Sequence, residues 1–324
     1  MPSPIDSPCV WTGEELAGRE DWLNAFDGEQ RVEVGRLLED PDADSPALAE
    51  LFAGLRDSLE EGSGAVLLRG LPVAGLDEDG AKALFLRLAS MIGTPVSQSA
   101  GGELVFSVRD AGFKDDDPRS RGPNTRKRLT FHSDRCDIIG FLCLKQAKVG
   151  GGNDIASSAA IHNHLLETRP DLVDQLYEPF YYQRHNVDTG NERAFCRQPV
   201  FSVTGGKFAC NLLRVLIDRA HANPELPDLT EDQIEALDAV EETAALPEMH
   251  ASFRQEPGDM VFLNNWVTLH RRSEFEDHPE PELRRHILRA WISPPNNRPL
   301  DPLFRDNYGA VEAGAVRGGM RQAR

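Results

Sequence analysis

The stretch that decides both the fold and the chemistry of this chain is Phe131-His132-Ser133-Asp134. Side chains two residues apart on a β-strand point to the same face, so His132 and Asp134 are predicted to enter one cavity. A third candidate ligand, His270, lies far downstream at the end of the apolar segment 261–270 (VFLNNWVTLH). A histidine from another strand would complete a triangle of ligand atoms.

Two histidines and one carboxylate on one side of a metal, with the other positions open, are typical of non-haem Fe(II) oxygenases. A His-x-Asp pair alone is weak evidence in a chain with 9 histidines and 53 acidic residues. Its setting strengthens it, because a polar loop precedes the pair and the apolar segment 138–144 follows it. His270 likewise follows a turn signal, Pro257-Gly258-Asp259. We therefore predict a metal site made by His132, Asp134 and His270.

Two arginines follow His270 in the segment 284–292 (RRHILRAWI). On a strand this spacing places four side chains on one face, namely Arg285, Ile287, Arg289 and Trp291. Burying a guanidinium on such a face is costly unless it meets an anion, and its planar fork suits a carboxylate. The alternative is a set of surface ion pairs with acidic residues just upstream, Asp277, Glu280 and Glu282.

In combination these pieces resemble the Fe(II)/2-oxoglutarate-dependent dioxygenases of the taurine dioxygenase (TauD/TfdA) family. The resemblance covers roughly residues 64 to 295. It rests on His132-Ser133-Asp134, the glycine turn Gly151-Gly152, Pro257-Gly258-Asp259 leading to His270, and the block from Arg284 to Ala290. It implies a double-stranded β-helix (jelly-roll, cupin-like) core within a mainly β chain that carries helical additions (α+β).

The resemblance also implies roles for individual residues. His132, Asp134 and His270 match the iron ligands, and Arg285 matches the arginine that holds the distal carboxylate of 2-oxoglutarate. Arg289 matches a position that often binds an acidic group of the substrate. The implied cofactors are Fe(II), the co-substrate 2-oxoglutarate and O2. Substrate oxidation would release succinate and CO2.

One position departs from the family pattern. A Thr or Ser after the Gly-Gly turn often helps to hold 2-oxoglutarate, whereas this chain has Asn153 and Asp154 there. A carboxylate beside another carboxylate is unfavourable unless it is protonated or turned away. The sequence leaves open which residue replaces the usual hydroxyl.

Composition narrows the class of partner. The chain has 35 basic and 53 acidic residues, a net charge of −18, so it should repel nucleic acid. A small-molecule substrate, expected to bear a carboxylate, is favoured. No apolar run has membrane-spanning length and the first residues lack a secretory pattern, so we expect no membrane association and a cytoplasmic location. The 5 cysteines have irregular spacings, which predicts buried thiols and no disulfide framework. A homo-oligomer stays open.

The remaining pattern predicts a single oxygenase domain over 1–306 with N-terminal and inserted helices, and a disordered tail over 307–324. A helix is predicted over 229–244 with Thr230 as its N-cap, and Gly205-Gly206 is predicted to turn a hairpin. The polar loop 105–130 is either a surface loop or a lid over the site. Asn211 and Arg214, near the end of a strand, are further candidates for binding the substrate.

The resemblance to the dioxygenase family, together with Arg289, favours hydroxylation of a small anionic or amino-acid-like molecule. With the same cofactors, desaturation or oxidative cyclisation is an alternative, because the outcome depends on substrate placement. An alternative of another class is a catalytically silent jelly-roll protein that binds a metabolite. Intact ligands and an intact Arg285 argue against it.

Overall fold

The computed structural model describes residues 2–113, 122–184 and 193–320. Its helices are α1 (Gly13–Ala17), α2 (Gly28–Glu39), α3 (Pro46–Glu61), α4 (Glu78–Ile92), α5 (Ser158–Thr168), α6 (Pro170–Tyr177), α7 (Arg214–His221), α8 (Glu231–Ala245) and α9 (Arg305–Tyr308). Its strands are β1 (Leu23–Ala25), β2 (Ala65–Arg69), β3 (Thr94–Val96), β4 (Val105–Val108), β5 (Ile138–Lys145), β6 (Val149–Gly150), β7 (Asn153–Ser157), β8 (Pro179–Gln183), β9 (Phe195–Pro199), β10 (Phe201–Thr204), β11 (Lys207–Cys210), β12 (His250–Phe253), β13 (Met260–Asn264), β14 (Thr268–Arg272), β15 (Phe275–Glu276) and β16 (His286–Ser293).

The largest sheet has the order β1-β2-β13-β5-β16-β3, and β4 also pairs with β16. All of its pairings are antiparallel except that of β1 with β2. Side-chain alternation sends Phe262 to the outer face, where its ring packs against Phe52 of α3 and Phe85 of α4 at centroid distances of 6.2 and 6.4 Å. The helices α2, α3 and α4 therefore cover this face with one apolar cluster.

A second sheet, β12-β7-β14, is antiparallel and faces the first. Its outer side chains, Ala156 and Leu269, join the cluster formed with α5, α6 and α8. Its inner residue Ile155 packs with Val261 and Trp291 of the large sheet. Two facing, mainly antiparallel sheets with helices on both outer sides agree with the predicted mainly β core with helical additions.

Local signals in the sequence correspond to the observed elements. Thr230 caps α8 and forms a capping box with Gln233, as the N-cap prediction required. Gly205 and Gly206 have φ angles of +59° and +78° and join β10 to β11 in the predicted hairpin. All 5 cysteines are free and buried, in agreement with the expectation of buried thiols. Among the described residues no helix is long and apolar enough to cross a membrane.

The prediction of a disordered tail over 307–324 is wrong for residues 307–320. Tyr308, Val311 and Arg317 are buried, and the Arg317 Nε donates to Asp137 Oδ1 at 2.7 Å. Composition misled here because the glycines make turns, as at Gly318, whose φ is +79° and whose missing side chain allows close approach to the backbone of residue 135. Residues 321–324 lie outside the described residues.

Candidate metal centre

Backbone hydrogen bonds bring the two histidines together. The His132 N–H donates to the His270 carbonyl at 3.0 Å, and the His270 N–H donates back at 2.9 Å. His132 belongs only to this isolated bridge, and Asp134 lies in irregular backbone, so the predicted strand is wrong here. Asp134 is held instead by its N–H, which donates to Asn265 Oδ1 at 3.0 Å. The two side chains nevertheless converge as the spacing predicted.

The ligand atoms of His132, Asp134 and His270 all lie within 4.8 Å of one another. In the part of the chain that the structure describes, no other group of three His, Cys, Asp or Glu side chains is this close. The His132 Nδ1 lies 2.8 Å from the Thr130 carbonyl, an acceptor, which fixes the proton on Nδ1 and leaves Nε2 for a metal. A facing pair of imidazoles and one carboxylate suits Fe(II).

The protonation states also suit a cation. Burial, and then the neighbouring His270, lower the pKa of His132 to about 4, so its imidazole is neutral. Burial acts to raise the pKa of Asp134, but the Arg289 charge and a hydrogen bond from His270 outweigh it and hold that pKa well below its usual value. Neutral imidazole and ionised carboxylate are the forms that coordinate a divalent metal.

Arg285, predicted to hold the 2-oxoglutarate carboxylate, is a buried cation without an anion. It is 3% exposed, and its Nε and Nη1 have no hydrogen-bond partner among the described residues. Burial lowers its pKa to about 10. Only its backbone N–H meets an upstream acid, donating to Asp277 Oδ1 at 2.8 Å. The alternative of surface ion pairs therefore does not describe this side chain. Its buried guanidinium lacks an anionic partner, as expected of a site that binds a carboxylate.

Arg289 lies beside the candidate metal ligands. Its Nη1 is 3.4 Å from Asp134 Oδ2, and its Nε donates to Gln98 Oε1 at 2.7 Å. The other side chains predicted to share its face, Arg285 just before β16 and Ile287 and Trp291 within it, line the same cavity. Sequence reasoning missed Gln98, because it comes from a separate segment after β3 and only pairing along β16 brings it to Arg289.

The mismatch after the Gly-Gly turn is explained by strand alternation. Asp154 turns away from the cavity and forms an ion pair with Arg271, its direct partner on β14, at 2.7 Å. It also accepts from Ser252 Oγ at 2.6 Å. Asn153 lines the cavity instead, and its Nδ2 donates to Gln255 Oε1 at 3.3 Å. The Asp154 carboxylate therefore does not repel an anionic ligand in the cavity.

Of the two weaker substrate candidates, the structure brings only one to the cavity. Asn211 lines it, and its Nδ2 donates to Tyr308 Oη at 2.7 Å. Arg214 does not line it, because its Nε and Nη1 are taken by Asp218 and Asp238 at 2.7 and 2.6 Å. The proposed substrate contact of Arg214 is therefore wrong, since it lies on the face of α7 directed at α8.

The three candidate ligands, Arg285, Arg289 and Asn211 border one cavity of about 520 Å³, a size that suits a small ligand. From the polar loop predicted over 105–130, β4 pairs with β16, and residues such as Pro123, Thr125 and Thr130 form part of the cavity wall. The charged stretch 114–121 of that loop lies outside the described residues. A mobile lid stays a prediction.

Comparison with known proteins decides the class of this site. The profile of one family, described as taurine catabolism dioxygenase TauD, TfdA family, matches residues 32–291. The chain belongs to this family. It is an oxidoreductase, a dioxygenase that uses Fe(II), 2-oxoglutarate and O2, with the jelly-roll core of the family. The predicted family, fold class and cofactors are thus confirmed.

Individual relatives of this TauD/TfdA enzyme span its length. FR-33289 synthase from Streptomyces rubellomurinus is 32% identical over 97% of this chain and 98% of its own. A solved structure of asparagine oxygenase with Fe(II), 2S,3S-3-hydroxyasparagine and succinate has a TM-score of 0.63 and 20% identity, covering 84% of this chain and 93% of that one. The non-haem iron oxygenase OrfP, with Fe, succinate and (3S)-hydroxy-L-Arg, has a TM-score of 0.58 and 16% identity with the same coverage. The likeness to these two structures shows the fold.

Proposed function

We propose that this dioxygenase hydroxylates a small anionic or amino-acid-like molecule and releases succinate and CO2. His132, Asp134 and His270 would hold the iron, Arg285 the distal carboxylate of 2-oxoglutarate, and Arg289 an acidic group of the substrate. The observation that carries the proposal is the cationic wall of the cavity. Nine arginine and lysine side chains and a single carboxylate, Asp134, line it among the described residues.

That wall runs against the charge of the whole chain, which is −18. Some of its cations are neutralised by the protein, such as Arg271 by Asp154 and Arg184 by Asp306 at 2.6 Å. Arg285 is not, and Arg289 meets only the carboxylate that would also bind the metal. A low-dielectric cavity with surplus positive charge favours anionic ligands, and it supports both a dicarboxylate co-substrate and an acidic substrate.

Fe(II) with 2-oxoglutarate and O2, when bound, supplies the oxidising chemistry that converts a substrate C–H to C–OH. The protein's own groups position the reactants. Arg289, held by Gln98, keeps Asp134 ionised, and Thr130 fixes the tautomer of His132. Asn211, held by Tyr308, presents a fixed amide to the cavity and is proposed as a second contact for the substrate. The two solved structures cited above contain hydroxylated amino acids, which supports hydroxylation of a molecule of that class.

The direct test is to supply iron-loaded protein with 2-oxoglutarate and a panel of amino acids and small acids under air. We expect one class of compound to stimulate succinate formation, with a product heavier by one oxygen atom. A product lighter by two hydrogens would instead establish desaturation or cyclisation. Calorimetric binding of iron and 2-oxoglutarate with no succinate from any panel member would favour a silent binding protein and contradict the proposal.

Arg285→Gln should raise the 2-oxoglutarate concentration for half-maximal succinate formation by about 10-fold or more, because hydrogen bonds to charged groups contribute about 1.5–3 kcal/mol. The measurement is a 2-oxoglutarate titration at saturating iron. Arg214→Gln is the matched control, since its guanidinium is paired outside the cavity. An unchanged 2-oxoglutarate requirement in Arg285→Gln would refute the role assigned to Arg285.

A further inference from the structure

A second buried arginine accompanies Arg285 at the same end of the cavity. Arg272 is the last residue of β14, two positions after His270, and it is 5% exposed. Its Nε has no partner among the described residues, and its Nη2 donates only to the backbone carbonyl of Lys127. Neither Arg272 nor Arg285 forms an ion pair with a carboxylate of the described residues.

The two guanidinium groups share one aromatic ring. The Cζ of Arg272 lies 4.9 Å from the centroid of Phe275, and the Cζ of Arg285 lies 5.2 Å from it. Two buried like charges at one ring repel each other, and a ring face compensates only a small part of the lost hydration. The arrangement is favourable only when an anion joins it.

The position along β14 indicates which anion. Two residues along a strand advance about 7 Å, so Arg272 stands one such step from the candidate iron ligand His270 on the same face of the strand. A five-carbon dicarboxylate that chelates the metal at one end places its other carboxylate at about this range. Arg289 contacts Asp134 itself and so lies nearer to the metal than this pair. Arg272 and Arg285 are therefore better placed to bind the distal carboxylate of the co-substrate than to bind a substrate group at the reacting carbon.

The space for the pair is built into the neighbouring turn. Gly151 has a φ of +69°, and a side chain there would bring its Cβ to 3.3 Å from Arg285 Nε. Of the two residues at the family's usual hydroxyl position, Asp154 faces away toward Arg271 and Asn153 donates its amide to Gln255 Oε1. Nothing from that turn offers the hydroxyl donor that commonly helps Arg285.

We propose that Arg272 replaces this hydroxyl, so that Arg272 and Arg285 together clamp the distal carboxylate of 2-oxoglutarate. A carboxylate has enough lone pairs to accept from two guanidinium forks at once. The inference rests on the proposed function of the site and adds a residue to its co-substrate pocket.

The test measures binding without turnover. Protein loaded with Zn(II) is titrated calorimetrically with 2-oxoglutarate and with 2-oxopentanoate, which has the same chain but lacks the distal carboxylate. Arg272→Gln should weaken 2-oxoglutarate binding by about 10-fold or more and leave the weaker binding of 2-oxopentanoate unchanged. Arg272→Lys, which keeps the charge, should bind 2-oxoglutarate with an affinity between those of the unsubstituted protein and Arg272→Gln. Because both arginines hold one group, the loss in Arg272→Gln/Arg285→Gln should be less than the product of the single losses.

Several outcomes would overturn the clamp. One is an unchanged affinity for 2-oxoglutarate in Arg272→Gln, with or without a raised requirement for substrate. Another is an equal loss for both oxo acids, which would mark a general structural effect. Thermal unfolding of Arg272→Met separates stability from binding, since removing an unpaired buried charge should leave the midpoint unchanged or raise it while 2-oxoglutarate binding falls. If the unsubstituted protein binds no 2-oxoglutarate, the proposed function itself fails; if it binds and Arg272→Gln binds equally, only the clamp fails.

Discussion

Asp134→Ala should abolish stable iron binding and lower 2-oxoglutarate-dependent succinate formation by more than about 100-fold. Loss of an outer partner of a metal ligand already costs about 10–100-fold, so loss of a ligand should cost more. The substitution also removes the only carboxylate among the described residues that line the cavity, and leaves Arg289 beside two imidazoles that must share the metal. The electrostatic change therefore adds to the effect of the lost bond. Metal content after dialysis and succinate release are the two measurements.

Asp154→Asn is the matched control for this change. It removes a carboxylate from the strand that pairs directly with His270, but this carboxylate faces Arg271 and Ser252 and not the cavity. Iron content and the 2-oxoglutarate requirement should stay as in the unsubstituted protein. If Asp154→Asn lost iron as Asp134→Ala does, or if Asp134→Ala kept its iron, the assignment of the ligands would be wrong.

The convergence of His132 and Asp134 could be predicted from sequence because it depends on local spacing. His132 and Asp134 converge even though only His132 forms a bridge and Asp134 lies in irregular backbone. Within β16 side-chain alternation placed Ile287, Arg289 and Trp291 on the cavity side, and Arg285, just before the strand, lines the same cavity. Periodicity within one segment is a physical constraint that a sequence carries by itself.

Contacts between segments could not be predicted in this way. Arg272 and Gln98 reach the site through pairing of β14 with β7 and through the approach of Gln98 to β16, neither of which a local pattern specifies. The prediction that Arg214 contacts the substrate was wrong for a related reason. The direction of this side chain depends on α8, whose Asp238 neutralises it. The direction of Asp154 likewise became clear only when its cross-strand partner, Arg271, was known.

The tail shows how composition can mislead. Gly, Ala and Arg are frequent in disordered segments because they bury little apolar surface, and on that basis 307–324 was expected to be disordered. Here the core offers Arg317 a buried carboxylate, Asp137, and Tyr308 and Val311 pack with Trp266. Composition alone does not show that a buried carboxylate far away in the sequence, Asp137, will pair with Arg317.

Arg317→Ala should therefore lower the free energy of unfolding by about 3–5 kcal/mol, the usual cost of removing one partner from a buried ion pair. The two side chains are 0% and 2% exposed, and Arg317 Nη2 also donates to the Arg298 carbonyl at 2.7 Å. Asp137 would keep its donors Trp266, Ser293 and Asn297 but would lose its only cationic partner among the described residues. Urea unfolding followed by tryptophan fluorescence measures the change.

The control lies in the same segment, where Arg305 pairs with Glu312 on the surface. Arg305→Ala should leave the unfolding midpoint nearly unchanged, because exposed pairs contribute little. Equal effects of the two substitutions would mean that the tail contributes no buried charge pair to the fold. The cost of Arg317→Ala should extend to the metal site, because the Gly319 N–H donates to the carbonyl of Arg135, the residue after Asp134, at 2.8 Å. Iron affinity should therefore fall together with stability in Arg317→Ala. Neither quantity should change in Arg305→Ala.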